Sequence, residues 1–168
     1  RDVVGGGVGC AIAMPVAQEF HKLGAHVTSI IGFRNKDLVI LEDEFKECSD
    51  VLHVMTDDGS YARGGNVTVP LKEMLDAGEK FDLIISHMPS GNIYAELINK
   101  KLKLPRISIV HNSDYRVLSG FKYSIVFKNR LKSALKSSNL TGARNSNLAK
   151  KLNTDFILPS FIEKENIV

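Results

Sequence analysis

Four glycines in five residues, Gly5, Gly6, Gly7 and Gly9, follow a short apolar run and precede a helical pattern. Without a Cβ the backbone turns sharply there and lets a ligand come close. The free N–H groups of the helix that follows, with the positive end of its dipole, suit a phosphate. A glycine run also makes an unliganded strand-to-helix turn, so its meaning depends on what else reaches the same place. Arg34 presents a fork that fits phosphate, and its plainer role is an ion pair with the acidic helix behind it. Asp57 and Asp58 form a carboxylate pair within Thr56-Asp57-Asp58-Gly59, but neighbours on an extended chain point to opposite sides, so one of them reaches a cleft. His87 and His111 each follow a strand pattern, where an imidazole serves as acid or base near neutral pH or simply faces solvent. His21, His26 and His53 are scattered without metal spacing and read as structural, Cys10 and Cys48 as packing residues, so no metal is expected.

These residues need a scaffold, and the periodicity supplies one. Strand patterns run over residues 2–4, 26–32, 51–55, 81–86 and 106–110, with helical patterns over 10–23, 38–48, 67–77 and 92–101 between them. Gly24 closes the first helix. Alternation at this spacing predicts a three-layer, doubly wound α/β domain of Rossmann-like form. Its mainly parallel sheet has the order 3-2-1-4-5, extended by one or two carboxy-terminal strands. The last third predicts an amphipathic basic helix over 123–136 whose charged face is solvated, a strand over 140–144, a helix over 146–152 and a final strand over 156–158 before Pro159. In such a sheet, ligands bind outside the carboxyl ends of the strands. Gly5 to Gly9, Arg34, Thr56 to Ser60, His87 and His111 all fall at that edge.

At 168 residues the chain has the length of one domain, residues 1–168. It shows no membrane span or signal peptide, and two cysteines fit a reduced, cytoplasmic setting. The net charge of +3 conceals an asymmetry: residues 1–100 hold 9 Lys and Arg against 15 Asp and Glu, and residues 101–168 hold 13 against 4. A basic half attracts nucleic acid, an anionic membrane surface or a phosphorylated substrate. A nucleic-acid partner is not expected, and a nucleotide or other phosphate-bearing ligand is.

The runs VGGGVG, IIGFRNKDLVILEDEF and TDDGSYARGGNVT, in register over residues 4–80, resemble the NAD(P)-binding domain of ferredoxin–NADP reductase relatives. Among these are the small subunit of NADH-dependent ferredoxin:NADP oxidoreductase and the electron-transfer subunit of dihydroorotate dehydrogenase. The resemblance implies NAD or NADP as cofactor, with Gly6, Gly7, Val8 and Gly9 at the pyrophosphate and Arg34 by the adenosine ribose or its phosphate. Thr56, Asp57, Asp58 and Gly59 would line the cleft. His87 is placed in the cofactor-binding set by its position after the fourth strand, although the resemblance departs there: the family has a Gly-Pro-x-Pro-Met-type turn near the nicotinamide, and this chain has His87-Met88-Pro89-Ser90-Gly91 instead. The family's flavin barrel and iron–sulfur cysteines are not found, which implies a flavoprotein partner and no turnover by the chain alone.

From residue 81 onward, FDLIISHMPSGNIYAELINKKLKLPRISIVHNSDY and LKSALKSSNLTGARNSNLAKKL are similar to the amino-terminal domain of GT-B retaining glycosyltransferases. That likeness implies a catalytic-side position for His111 and a missing nucleotide-sugar domain. Two resemblances meeting near residue 80 suggest a chimera, with a reductase-like half over 1–80 and a glycosyltransferase-like half over 81–168; a natural fusion or a divergent single family are the alternatives. The function expected is NAD(P) or nucleotide-phosphate binding of reductase type, with the acceptor side of a glycosyltransferase as the alternative.

Overall fold

A computed structural model describes residues 1–120 and 123–158. It divides into two compact units, one ending at Lys80 and one beginning at Phe81.

In the first unit, strands β1 (Asp2–Gly6), β2 (Thr28–Phe33), β3 (Val51–Thr56) and the two-residue β4 (Arg63–Gly64) form a parallel sheet in that order. All six residues of β2 are buried, as expected of a β-branched run with a strand on each side. Helices α1 (Cys10–Lys22) and α2 (Glu42–Glu47) share a core with the sheet built on Cys10, Ala17, Ile31, Phe33 and Phe45. Helix α3 (Thr68–Asp76) contributes Met74 to a second core with Ile30 and Met55. Side chains 30 and 31 point to opposite faces of β2, so helices cover the sheet on both sides.

In the second unit, β5 (Ile84–His87), β6 (Arg106–Val110), β7 (Leu140–Ala143) and β8 (Phe156–Ile157) form another parallel sheet. Helices α4 (Met88–Leu102), α5 (Asn112–Ser119) and α6 (Ile125–Lys136) pack through Ile93, Val117, Leu131 and Ala134. Helix α7 (Ser146–Leu152) places Leu148 against Val110 and Ala143. Arg106 is buried where these elements meet. It donates from Nη1 to the Asn92 carbonyl (3.2 Å) and from Nη2 to the Ala134 carbonyl (2.5 Å) and Ser137 Oγ (2.8 Å), tying β6 to α4 and α6.

Several expectations need correction. The expected single sheet of order 3-2-1-4-5 is not what the described residues form: they make two four-stranded parallel sheets, β1-β2-β3-β4 and β5-β6-β7-β8, with β1 at an edge of the first. The inward position of β5 is taken by Ser86, whose hydroxyl bonds Asn92 Oδ1 (2.8 Å) and Ser108 Oγ (3.2 Å), so polar matching to β6 fixes the strand. The helix expected over 38–48 begins only at Glu42, because Leu41 adopts φ +61° in the left-handed region. The helix expected over 92–101 starts four residues earlier, with Pro89 in its first turn, where a missing N–H costs nothing. Strand β4 and helix α5 were not expected. Pro159 lies outside the described residues.

Candidate functional site

The register of the first sheet brings the sequence motifs together. Gly6 pairs with Gly32, and Phe33 pairs with Thr56, so Gly7, Arg34 and Asp57 leave adjacent parallel strands at one carboxyl edge. A 3-10 turn, Gly7–Gly9, follows β1 and runs directly into α1. Two glycines there have specific reasons. A Cβ on Gly5 would sit 2.9 Å from the Cys10 Cα, so only glycine lets the strand pass this close to the helix. Gly7 has φ +53°, a left-handed turn that strains a side-chain-bearing residue. Above Gly6, Gly7 and Gly9 an added Cβ would meet nothing within 4 Å, and Val8 between them is exposed. The corner is thus open space bordered by backbone, which fits a pyrophosphate.

The next two strand ends are tied to each other. Asp57 N donates to the Phe33 carbonyl (2.9 Å), Asp58 N to the Arg34 carbonyl (3.2 Å) and Lys36 N to Ser60 Oγ (2.9 Å). The Arg34 side chain is exposed. Thr56 is fully buried, its hydroxyl donating to the Tyr61 carbonyl (2.6 Å) and accepting from Tyr61 N (3.1 Å), so it shapes the loop from below. The Asp58 carboxylate accepts from Ser60 N (2.9 Å), and hydrogen bonds from Ser60 hold it below the usual carboxylate range. Gly59 completes the turn at φ +70°; both carboxylates of the pair are exposed, and Asp58 is the one whose side chain is hydrogen-bonded within the loop.

Sequence reasoning missed Lys36 and Tyr61. The Lys36 ammonium lies 5.7 Å from the Tyr61 ring centroid, and Tyr61 donates its hydroxyl to Glu42 Oε1 (3.2 Å). With Val39 and Leu41 they line an open cleft beside Arg34 in sequence. Next to Arg34, Asn35 Oδ1 is buried without a hydrogen-bond donor among the described residues. A cation two residues after Arg34 and an aromatic two after Gly59 were the available signals.

His87 and His111 belong to the second unit, at the carboxyl ends of β5 and β6, and Arg144 follows β7. His87 Nδ1 and His111 Nε2 are 3.3 Å apart. His111 caps α5: its side chain accepts from the Asp114 amide, and its own N–H donates to Asp114 Oδ2 (2.8 Å). A ring nitrogen that accepts carries no proton in the neutral imidazole. This network assigns the His111 proton to Nε2, which donates to His87 Nδ1 and leaves N–H on His87 Nε2. Burial pushes His111 down to about 4, helped by the charges of His87 and Arg144, and burial followed by Arg144 also lowers His87. Desolvation raises Asp114 to about 6, against hydrogen bonds from His111 and Asn92. The pair is therefore neutral at pH 7 and offers a donor.

No family model matches the chain. It is 44% identical over 81 residues to the electron-transfer subunit homologue of dihydroorotate dehydrogenase B (NAD(+)) from Thermotoga maritima, covering 48% of this chain and 28% of that protein. The corresponding subunit from Streptococcus pneumoniae is 43% identical over 84 residues, 50% of this chain and 32% of the relative. A solved chain of the NADH-dependent reduced ferredoxin–NADP oxidoreductase, described for flavin-based electron bifurcation, matches with TM-score 0.50 and 35% identity over 62% of this chain and 38% of that one. The chain spans about a third of the length of the curated relatives it matches. The glycosyltransferase likeness of residues 81–168 has no support in these matches. The homologues of this chain are electron-transfer subunits of dihydroorotate dehydrogenase B and of NADH-dependent ferredoxin–NADP oxidoreductase, as the three glycine, arginine and Asp-Asp-Gly motifs implied.

Proposed function

We propose that the first unit binds NADH or NADPH as the dinucleotide-binding portion of an electron-transfer subunit. The observation that carries this is the parallel register that delivers Gly7, Arg34 and Asp57 to one sheet edge. Gly6, Gly7, Val8 and Gly9 hold the pyrophosphate by backbone amides, an arrangement that needs no countercharge from side chains. Arg34 meets the adenosine ribose or its phosphate, and the loop from Asp57 to Gly59, stiffened by Thr56 and Asp58, forms the wall. The bound nicotinamide supplies the hydride chemistry, and this chain's residues orient the dinucleotide for it. The flavin that exchanges the hydride is held by a partner portion or subunit, so the chain alone binds without turnover.

Calorimetric titration of the chain with NADH, NADPH and a nucleotide sugar tests the reading. Saturable binding of either dinucleotide supports it; binding of the nucleotide sugar alone contradicts it. Incubation with NADH, a dye acceptor and added FAD should give no turnover above buffer.

A further inference from the structure

We propose that the second unit docks peripherally on an anionic lipid surface through the face shared by α4 and α6. Helix α6 carries Lys128, Arg130, Lys132 and Lys136 and no acidic residue. Its inner side is already satisfied, since Phe127, Leu131, Ala134 and Leu135 pack in the core with Ile93 and Val117. The core makes no use of the helix's first two residues: Ile125 is 68% exposed and Val126 59%. Tyr123, just before it and also exposed, stacks on Phe127 with ring centroids 6.1 Å apart. From α4, Tyr94 (58% exposed) and Leu97 are left outward as well, and Leu97 and Val126 line one open groove with Lys100 and Arg130. Glu96 is the one carboxylate lining that groove, and it is engaged by Ser133 Oγ (2.8 Å) and Lys100 Nζ (4.0 Å).

The result is an aliphatic tip and tyrosines flanked by cations, within a unit whose residues 81–168 carry 14 Lys and Arg against 6 Asp and Glu. Large apolar side chains grouped on a surface mark an interaction site. Aliphatic residues suit the acyl boundary, tyrosines the headgroup level, and lysine and arginine the lipid phosphates. A nucleic acid would use the same cations but has no place for Ile125 and Val126, whereas a bilayer uses both. Among the described residues no helix is long and apolar enough to cross a membrane, so the docking is at the surface.

The test is co-sedimentation of the full chain with phosphatidylcholine vesicles, with and without phosphatidylglycerol. The protein should pellet with the anionic vesicles, stay in solution with the neutral ones, and be released by salt. Replacing Ile125 and Val126 together by Ser should weaken partitioning roughly tenfold or more. Arg130→Gln with Lys132→Gln should weaken it about twenty-fivefold, on about fivefold per cation. All four positions are exposed, so circular dichroism should stay that of the wild type. Equal pelleting with neutral vesicles, or wild-type partitioning by both variants, would overturn the proposal. So would binding to a duplex oligonucleotide in preference to the anionic vesicles with no loss on replacing Ile125 and Val126.

Discussion

The two sheets end in edges built by opposite means. At the first, backbone does the work: glycines leave open space over a turn and a helix start, and the nearby side chains of Thr56 and Asp58 are engaged in shaping a loop. At the second, side chains do it. A buried chain of polar groups runs from Ser138 through Ser108 and Ser86 to Asn92 and Asp114, and the two imidazoles sit at its end. The amides of the glycine turn do not titrate, and that corner is broken by adding a side chain. An edge made of buried polar side chains is broken by removing one, and it responds to pH.

Gly7→Val should have the largest effect on the first edge. A β-branched residue at φ +53° costs about 1–3 kcal/mol of strain, and its side chain enters the space assigned to the pyrophosphate. Dinucleotide binding should become undetectable by calorimetry while circular dichroism is retained. In the second unit, Arg106→Ala leaves the buried Asn92 and Ala134 carbonyls without their guanidinium donor. The Ala134 carbonyl keeps the Ser137 and Ser138 hydroxyls as donors, so the loss is that of the charged hydrogen bonds, about 1.5–3 kcal/mol, read by denaturant unfolding. Arg34→Ala should weaken dinucleotide binding by about 1.5 to 3 kcal/mol, the range of a charge-assisted hydrogen bond, without changing stability. Equal affinity would remove Arg34 from the site.

The pH dependence separates the edges most finely. Asp114, raised to about 6, contributes stability that is present below the unfolded carboxylate range and is lost as pH rises through about 6. His111, lowered to about 4, contributes stability that is present above its unfolded value and is lost as pH falls through about 4. Between pH 4 and 6 the two slopes oppose each other. Asp114→Asn removes the falling slope, so the stability of this variant should rise from pH 4 to 6, measured by urea unfolding. A profile that still falls would show that Asp114 is not the group responsible.

Much of this was legible because local signals agreed. The glycine run, the β-branched stretch around Ile30 and the helix stop at Gly24 each have one physical reading, and β1 to β3 with α1 follow from them. Strand pairing across residue 80 was not legible, since periodicity tells that a segment is a strand but not which neighbour its polar residues will choose. Ser86 and Ser108 bond each other across β5 and β6, and Ser86 also bonds Asn92 from α4, a match spanning 22 residues that no local window contains. The left-handed Leu41 carried no signal either, because leucine is uncommon in that conformation. Of the site, the carboxyl-edge positions were readable from strand order alone. The engagement of Thr56 and Asp58 within their own loop was not, since both residue types serve as readily for ligands as for turns.

The most direct measurement is an amide nitrogen–proton correlation spectrum of the labelled chain, titrated with NADH or NADPH. Dinucleotide binding at the first edge predicts the largest shifts at the amides of Gly6, Gly7, Val8, Gly9 and Cys10, with Arg34 and Asp57 following and the same saturation point for all. Shifts confined to residues around His87 and His111, or none at the glycine turn at saturating dinucleotide, would contradict it.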